Sequence, residues 1–100
     1  MITVTIKPRE VKIEGHAERQ GDKEYNLVCC AVSTLYYSLC ANLQKYDDTT
    51  FSGESGDAVV RVEKFSRDKA QCFRFFRIAI NELAKQYKSV KIIDKRKKVE

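Results

Sequence analysis

The chain predicts an α+β fold, a mostly antiparallel sheet with two helices packed on one face, in the order β-β-α-β-β-α-β. Three observations predict it. Short runs with alternating apolar residues, at 2–7, 11–14 and 89–93, have the period of half-buried strands. Two longer stretches, 27–46 and 66–87, carry apolar residues at helical spacing. The strands are joined mostly by tight turns, which favours antiparallel neighbours and leaves the helices to cover one face.

The elements follow in order. ITVTIK at 2–7 alternates, Pro8 with Arg9 and Glu10 makes a turn, and VKIE at 11–14 alternates again, giving a first hairpin that Gly15 ends. Residues 17–25 (AERQGDKEY) are polar, contain Gly21 and have no period, so they read as a loop. From Leu27 to about Tyr46 the apolar residues Val28, Val32, Leu35, Leu39 and Leu43 form one stripe, with Asn26 as the expected N-cap. Residues 50–52 and 58–65 flank the turn GESGD as a second hairpin. Ser66 caps the second helix, with Asp68 in its first turn and an apolar side built from Cys72, Phe73, Phe76, Ile80, Leu83 and Tyr87. The strand at 89–93 runs into the charged tail DKRKKVE.

Composition limits the classes of function. One hundred residues, 43% hydrophobic, suit one compact domain over residues 1–100 and a modest core, so pairing with a second copy is expected. The first residues, MITVTIKP, are too short for a secretory apolar segment and are interrupted by Lys7 and Pro8; no apolar run is long enough to span a bilayer. The expectation is a cytoplasmic protein without membrane contact. The formal charge of +5 is spread among interspersed acidic residues. Basic residues Lys69, Arg74, Arg77 and the tail offer phosphate contacts, so direct nucleic-acid binding is a secondary reading.

Four cysteines and one histidine carry the remaining chemistry. In a reducing compartment the thiols are free. A metal site is a poor fit, since there is no C-x-x-C pair and one histidine cannot complete four ligands, and no cofactor is called for. If Asn26 caps the helix, Cys29 is its third residue, where free N–H groups and the helix dipole lower a thiol's pKa. Ser33 lies one turn further along the same face, and His16 follows the end of a strand. Cysteine with histidine is a sufficient nucleophile–base pair for acyl transfer. Against that stands ordinary packing, because free cysteine is commonly a small buried hydrophobe. Cys30 points about 100° away from Cys29 and is assigned to packing.

The stretch "GHA" at 15–17, a polar loop, then "LVCCAVS" at 27–33 resembles the ribosomal-processing cysteine protease (Prp) family. The start MITV-I, the hairpin, the second helix and "AKQYKSVKI" match that family's layout along the chain. The resemblance implies a small dimeric α+β protease with a cysteine–histidine dyad. Its substrate would be the N-terminal extension of the bacterial large-subunit ribosomal protein numbered twenty-seven, which carries a paired-phenylalanine motif. By position the family histidine falls on His16, the cysteine on Cys29 and the serine on Ser33, while Cys30 replaces an alanine. Asn26 stands where the family has aspartate, so it supplies a neutral hydrogen-bonding group instead of a charge. The loop at 17–25, slightly longer than in the family, is expected to close over the peptide. The rival readings are a non-catalytic ribosome-assembly factor that holds an extended segment by strand addition, and an RNA-binding factor.

Overall fold

The computed structural model describes residues 1–15, 23–54 and 57–96, the side chains of residues 23–26 and 54 excepted. It contains β1 (Ile2–Lys7), β2 (Glu10–Gly15), α1 (Lys23–Leu43), β3 (Thr49–Glu54), β4 (Asp57–Val62), α2 (Arg67–Gln86) and β5 (Val90–Asp94). The expected order of elements is the observed one. The five strands form one sheet in the order β3-β4-β2-β1-β5, antiparallel except where β5 joins β1 in parallel.

Register explains which face is covered. Val4 pairs with Ile13 and Ile6 with Val11, and Val11 pairs in turn with Val60. These six-residue strands therefore put Ile2, Val4, Ile6, Val11, Ile13, Val60 and Val62 on one side, all buried. Both helices pack there, through Val28, Val32, Tyr36, Leu39 and Leu43 of α1 and Phe73, Phe76 and Ile80 of α2. The opposite face carries Thr3, Thr5, Lys12, Arg61 and Lys91, a polar surface with ion pairs such as Lys12–Glu14 at 3.5 Å.

Several boundaries differ from expectation. Tyr36 takes the buried place assigned to Leu35, which sits half-buried at the edge of the core. The α1 helix stops at Leu43 instead of Tyr46, where the Thr49 hydroxyl donates to the Leu43 carbonyl oxygen at 2.8 Å. The strand β4 ends at Val62, so Phe65 lies beyond it, half exposed. The Ser66 cap is as expected: its hydroxyl accepts from the Lys69 N–H at 3.2 Å.

An ion pair between a buried lysine and a partly exposed aspartate was not anticipated. Lys69, expected among the basic surface residues, is buried, and its Nζ lies 2.8 Å from both carboxylate oxygens of Asp48. It also donates to the Lys64 carbonyl oxygen at 3.0 Å and stands 5.0 Å from the centre of the Tyr46 ring. With every ammonium donor engaged, the cation is tolerated in the interior. It ties the first turn of α2 to both loops at that end of the sheet.

Candidate active site

The direction of α1 sets the site. The helix ends beside Thr49, the first residue of β3, whose partner is Val62 at the end of β4. It therefore begins at the opposite end of the sheet, where Glu54 and Glu14 pair with Asp57 and where β2 finishes at Gly15. Gly15 has φ +90°, and a Cβ there would run into the Met1 carbonyl oxygen, so glycine alone fits this exit. His16, which follows directly, lies outside the described residues, as does most of the expected lid at 17–25.

Successive residues of α1 turn by about 100°, which puts Cys29, Ser33, Tyr36 and Cys40, with Gln44 just past the helix end and bonded through its N–H to the Cys40 carbonyl, within an arc of about 80° on one side of the helix. That stripe borders the buried one. Cys29 is accordingly half-buried against the core, while Ser33 is exposed. Tyr36, Cys40 and Gln44 then continue into a cleft of about 280 Å³, closed on its other side by Phe51, Ser52, Gly53 and Ala58 of the second hairpin. Tyr37 at 63% and Phe51 at 44% exposure keep aromatic surface open to solvent at this cleft. The spacing that linked Cys29 to Ser33 extends to Tyr36 and Cys40, so the helical half of the cleft was present in the pattern. Its strand half was not, because pairing brings Phe51 and Ala58 there from a distant part of the chain.

Three expectations about the site are corrected. First, α1 begins at Lys23, so Asn26 is its fourth residue and not its cap, and Lys23–Tyr25 are helical instead of part of a loop. Second, Cys29 is the seventh residue of α1, beyond the first turn whose free N–H groups and dipole would stabilise a thiolate or an oxyanion. Third, Cys30 is exposed, not packed: it faces almost opposite the stripe of Val28, Val32, Leu39 and Leu43.

The cleft's own thiol is held protonated. Burial, the largest influence, pushes Cys40 above the ordinary thiol range and outweighs its hydrogen bond with Tyr36, which acts in the other direction. Burial likewise raises the Tyr36 phenol far above its usual range, with the Cys40 side chain adding to the effect. Tyr36 and Cys40 therefore present neutral groups to the cleft. Among the described residues no cluster of three or more His, Cys, Asp or Glu is placed to hold a metal, and no helix is long and apolar enough to cross a membrane.

Fold and site define a class, an α+β protein with a free thiol on a helix face that leads into an aromatic cleft. The sequence matches the description of the cysteine protease Prp family over residues 1–92, so the chain belongs to that family and is a hydrolase of peptide bonds. Solved structures share the fold. The essential ribosomal processing protease Prp from S. aureus, in complex with a covalently linked product peptide, superposes with a TM-score of 0.79 at 19% identity over 95% of this chain and 100% of that one. The same S. aureus protease with a substrate peptide gives 0.74 at 14% identity, covering 94% and 97%. A Streptococcus mutans protein, SMU.848, gives 0.66 at 24% identity over 94% of this chain and 93% of that one. No curated protein matches the sequence.

Proposed function

We propose that this chain is a cytoplasmic ribosomal-processing endopeptidase, one domain over residues 1–100 acting as a homodimer, that removes the N-terminal extension of large-subunit ribosomal protein twenty-seven. Cys29 is the nucleophile and His16 the base. The observation that carries this reading is the stripe Cys29–Ser33–Tyr36–Cys40, which runs along α1 from the thiol to a cleft of about 280 Å³ with the exposed aromatic side chains Tyr37 and Phe51 in its walls. Membership of a cysteine protease family supports it, as does the shared fold with a ribosomal processing protease that binds peptides.

The chemistry is a two-step acyl transfer. His16 takes the Cys29 proton, the sulfur attacks the scissile carbonyl carbon, and the amine leaves with a proton returned by His16. Water then attacks the thioester, releasing the new carboxylate and restoring the thiol. Cys29 stands beyond the first turn of α1, away from the free N–H groups of the helix start, so the proton of its thiol is taken by His16. The Ser33 hydroxyl, one turn further on, is the supporting donor for the carbonyl oxygen.

The test is cleavage of a peptide carrying the paired-phenylalanine extension by the wild type and by Cys29→Ser, Cys30→Ser and His16→Ala. Loss of cleavage in the Cys29 and His16 variants, with Cys30→Ser active, is expected. Cleavage surviving in Cys29→Ser overturns the assignment of the nucleophile, and no cleavage by the wild type overturns the substrate.

A further inference from the structure

A second cleft, of about 380 Å³, lies away from the cysteine face of α1, between α2 and the C-terminal ends of β1 and β5. Its floor is apolar, with Ile6, Pro8 and Phe73, and its rim is cationic, with Lys7, Arg74, Arg77 and Arg96. Arg74 and Arg77 are one helical turn apart; among the described residues Arg74 forms no ion pair or hydrogen bond with a carboxylate, while Arg77 makes no direct ion pair but stands close enough to Asp94 to help hold its carboxyl below the usual range. Arg96 is fixed by Asp94, with Nε to Oδ1 at 2.8 Å and Nη2 to Oδ2 at 2.9 Å, which leaves further N–H donors of its guanidinium uncommitted. The Phe65 ring is half exposed at the same rim and is held upright by an edge contact with Phe73, centres 6.4 Å apart and planes at 75°.

We propose that this cleft docks a single-stranded RNA segment, Arg74 and Arg77 meeting successive phosphates while a base stacks on Phe65. Charge complementarity demands an anionic partner. Guanidinium forks match phosphate oxygens, and an exposed, pre-oriented ring beside them adds the stacking platform that single-stranded nucleic acid uses. An acidic peptide satisfies the arginines but gives the ring no such role. The choice of RNA rests on the ribosome-related setting proposed above; the contact itself does not depend on Cys29, so the two readings fail separately.

The experiment is fluorescence anisotropy of a labelled twelve-residue oligouridylate titrated with the full chain over a range of salt, each variant being checked by thermal melting. Binding that weakens with salt is expected. Arg74→Gln/Arg77→Gln should bind about tenfold more weakly and lower the slope of log affinity against log salt by about 1.4, the value for two lost single-strand phosphate contacts. Phe65→Ala should bind about fivefold more weakly with the slope unchanged. The charge-matched control Lys12→Ala/Lys91→Ala, on the opposite face of the sheet, should bind like the wild type. No binding by the wild type overturns the proposal. So does a control that weakens as much as the arginine variant, a Phe65→Ala variant that binds normally, or displacement by polyglutamate as efficiently as by unlabelled RNA.

Discussion

The Lys69 ammonium lies 2.8 Å from each carboxylate oxygen of Asp48, and this pair joins the start of α2 to the loop that enters β3. The consequence is a specific response to acid. The Lys69 hydrogen bonds, followed by the Lys64 N–H at 2.8 Å, hold the Asp48 carboxyl below its usual range. A depressed carboxyl stabilises the fold fully above its unfolded pKa, about 3.9, and loses that contribution as pH falls through the lower folded value. The melting temperature of the wild type should therefore fall steeply below about pH 4. Asp48→Asn should melt lower at pH 7 and lose less between pH 5 and pH 2. Parallel melting curves for the two proteins across that window would exclude a role for this pair in acid sensitivity.

The four thiols should separate by reactivity. Cys30 is exposed and Cys40 is half-buried, with burial holding it as the neutral thiol. Limited iodoacetamide at pH 7.5, read by peptide mass mapping, should therefore label Cys30 and spare Cys40. Labelling of Cys40 should rise only as pH climbs past the ordinary thiol range near ~8.5. On the proposed mechanism, cleavage is lost in step with modification of Cys29 and is indifferent to that of Cys30. Inactivation that tracks Cys30 instead would reassign the nucleophile.

The exit from β2 makes its own prediction. Gly15 has φ +90° and lies against the Met1 carbonyl, so a methyl group there forces the backbone that leads to His16 to shift. Residues held in such conformations cost of order 1–3 kcal/mol. Gly15→Ala should lower the melting temperature by several degrees and reduce kcat for the proposed peptide more than it changes KM. Gly15 acts here as a positioning residue. A variant with lowered stability but unchanged kcat would show that the strand exit does not set the histidine.

Much of this architecture was legible because it is local. Alternation in Ile2–Val4–Ile6 and Val11–Ile13 marks one wet and one dry side, and Ser66 announces a helix by the hydrogen bond it makes three residues on. What escaped is of two kinds. The start of α1 falls in a polar segment, Lys23–Asn26, where no apolar period distinguishes helix from loop. The Asp48–Lys69 pair, the parallel partnership of β5 with β1 and the strand wall of the cleft depend on residues far apart in sequence. The exposure of Cys30, by contrast, could have been read. It lies almost opposite the centre of the stripe that contains Val28 and Val32, so its packing assignment conflicted with the very helix that placed it.

Phe51 offers the cleanest probe of the cleft, because it forms the strand wall without being part of the buried core. At 44% exposure it faces Tyr36, Tyr37 and Cys40 across the cleft, and its neighbour in register, Val60, is fully buried beneath the sheet's covered face. Truncating it removes aromatic surface from the cleft while leaving Val60 and the strand pairing in place. If the cleft receives a phenylalanine of the substrate, the lost ring contact is worth about 0.5–1.5 kcal/mol beyond area burial. Together with the lost apolar area this should raise KM of Phe51→Ala for the paired-phenylalanine peptide by about tenfold, with kcat and the melting temperature little changed. A peptide in which both phenylalanines are replaced by alanine should not distinguish the variant from the wild type. Equal losses on both peptides would mean that Phe51 acts on the shape of the hairpin, and the substrate's aromatic residues would have to bind elsewhere along α1.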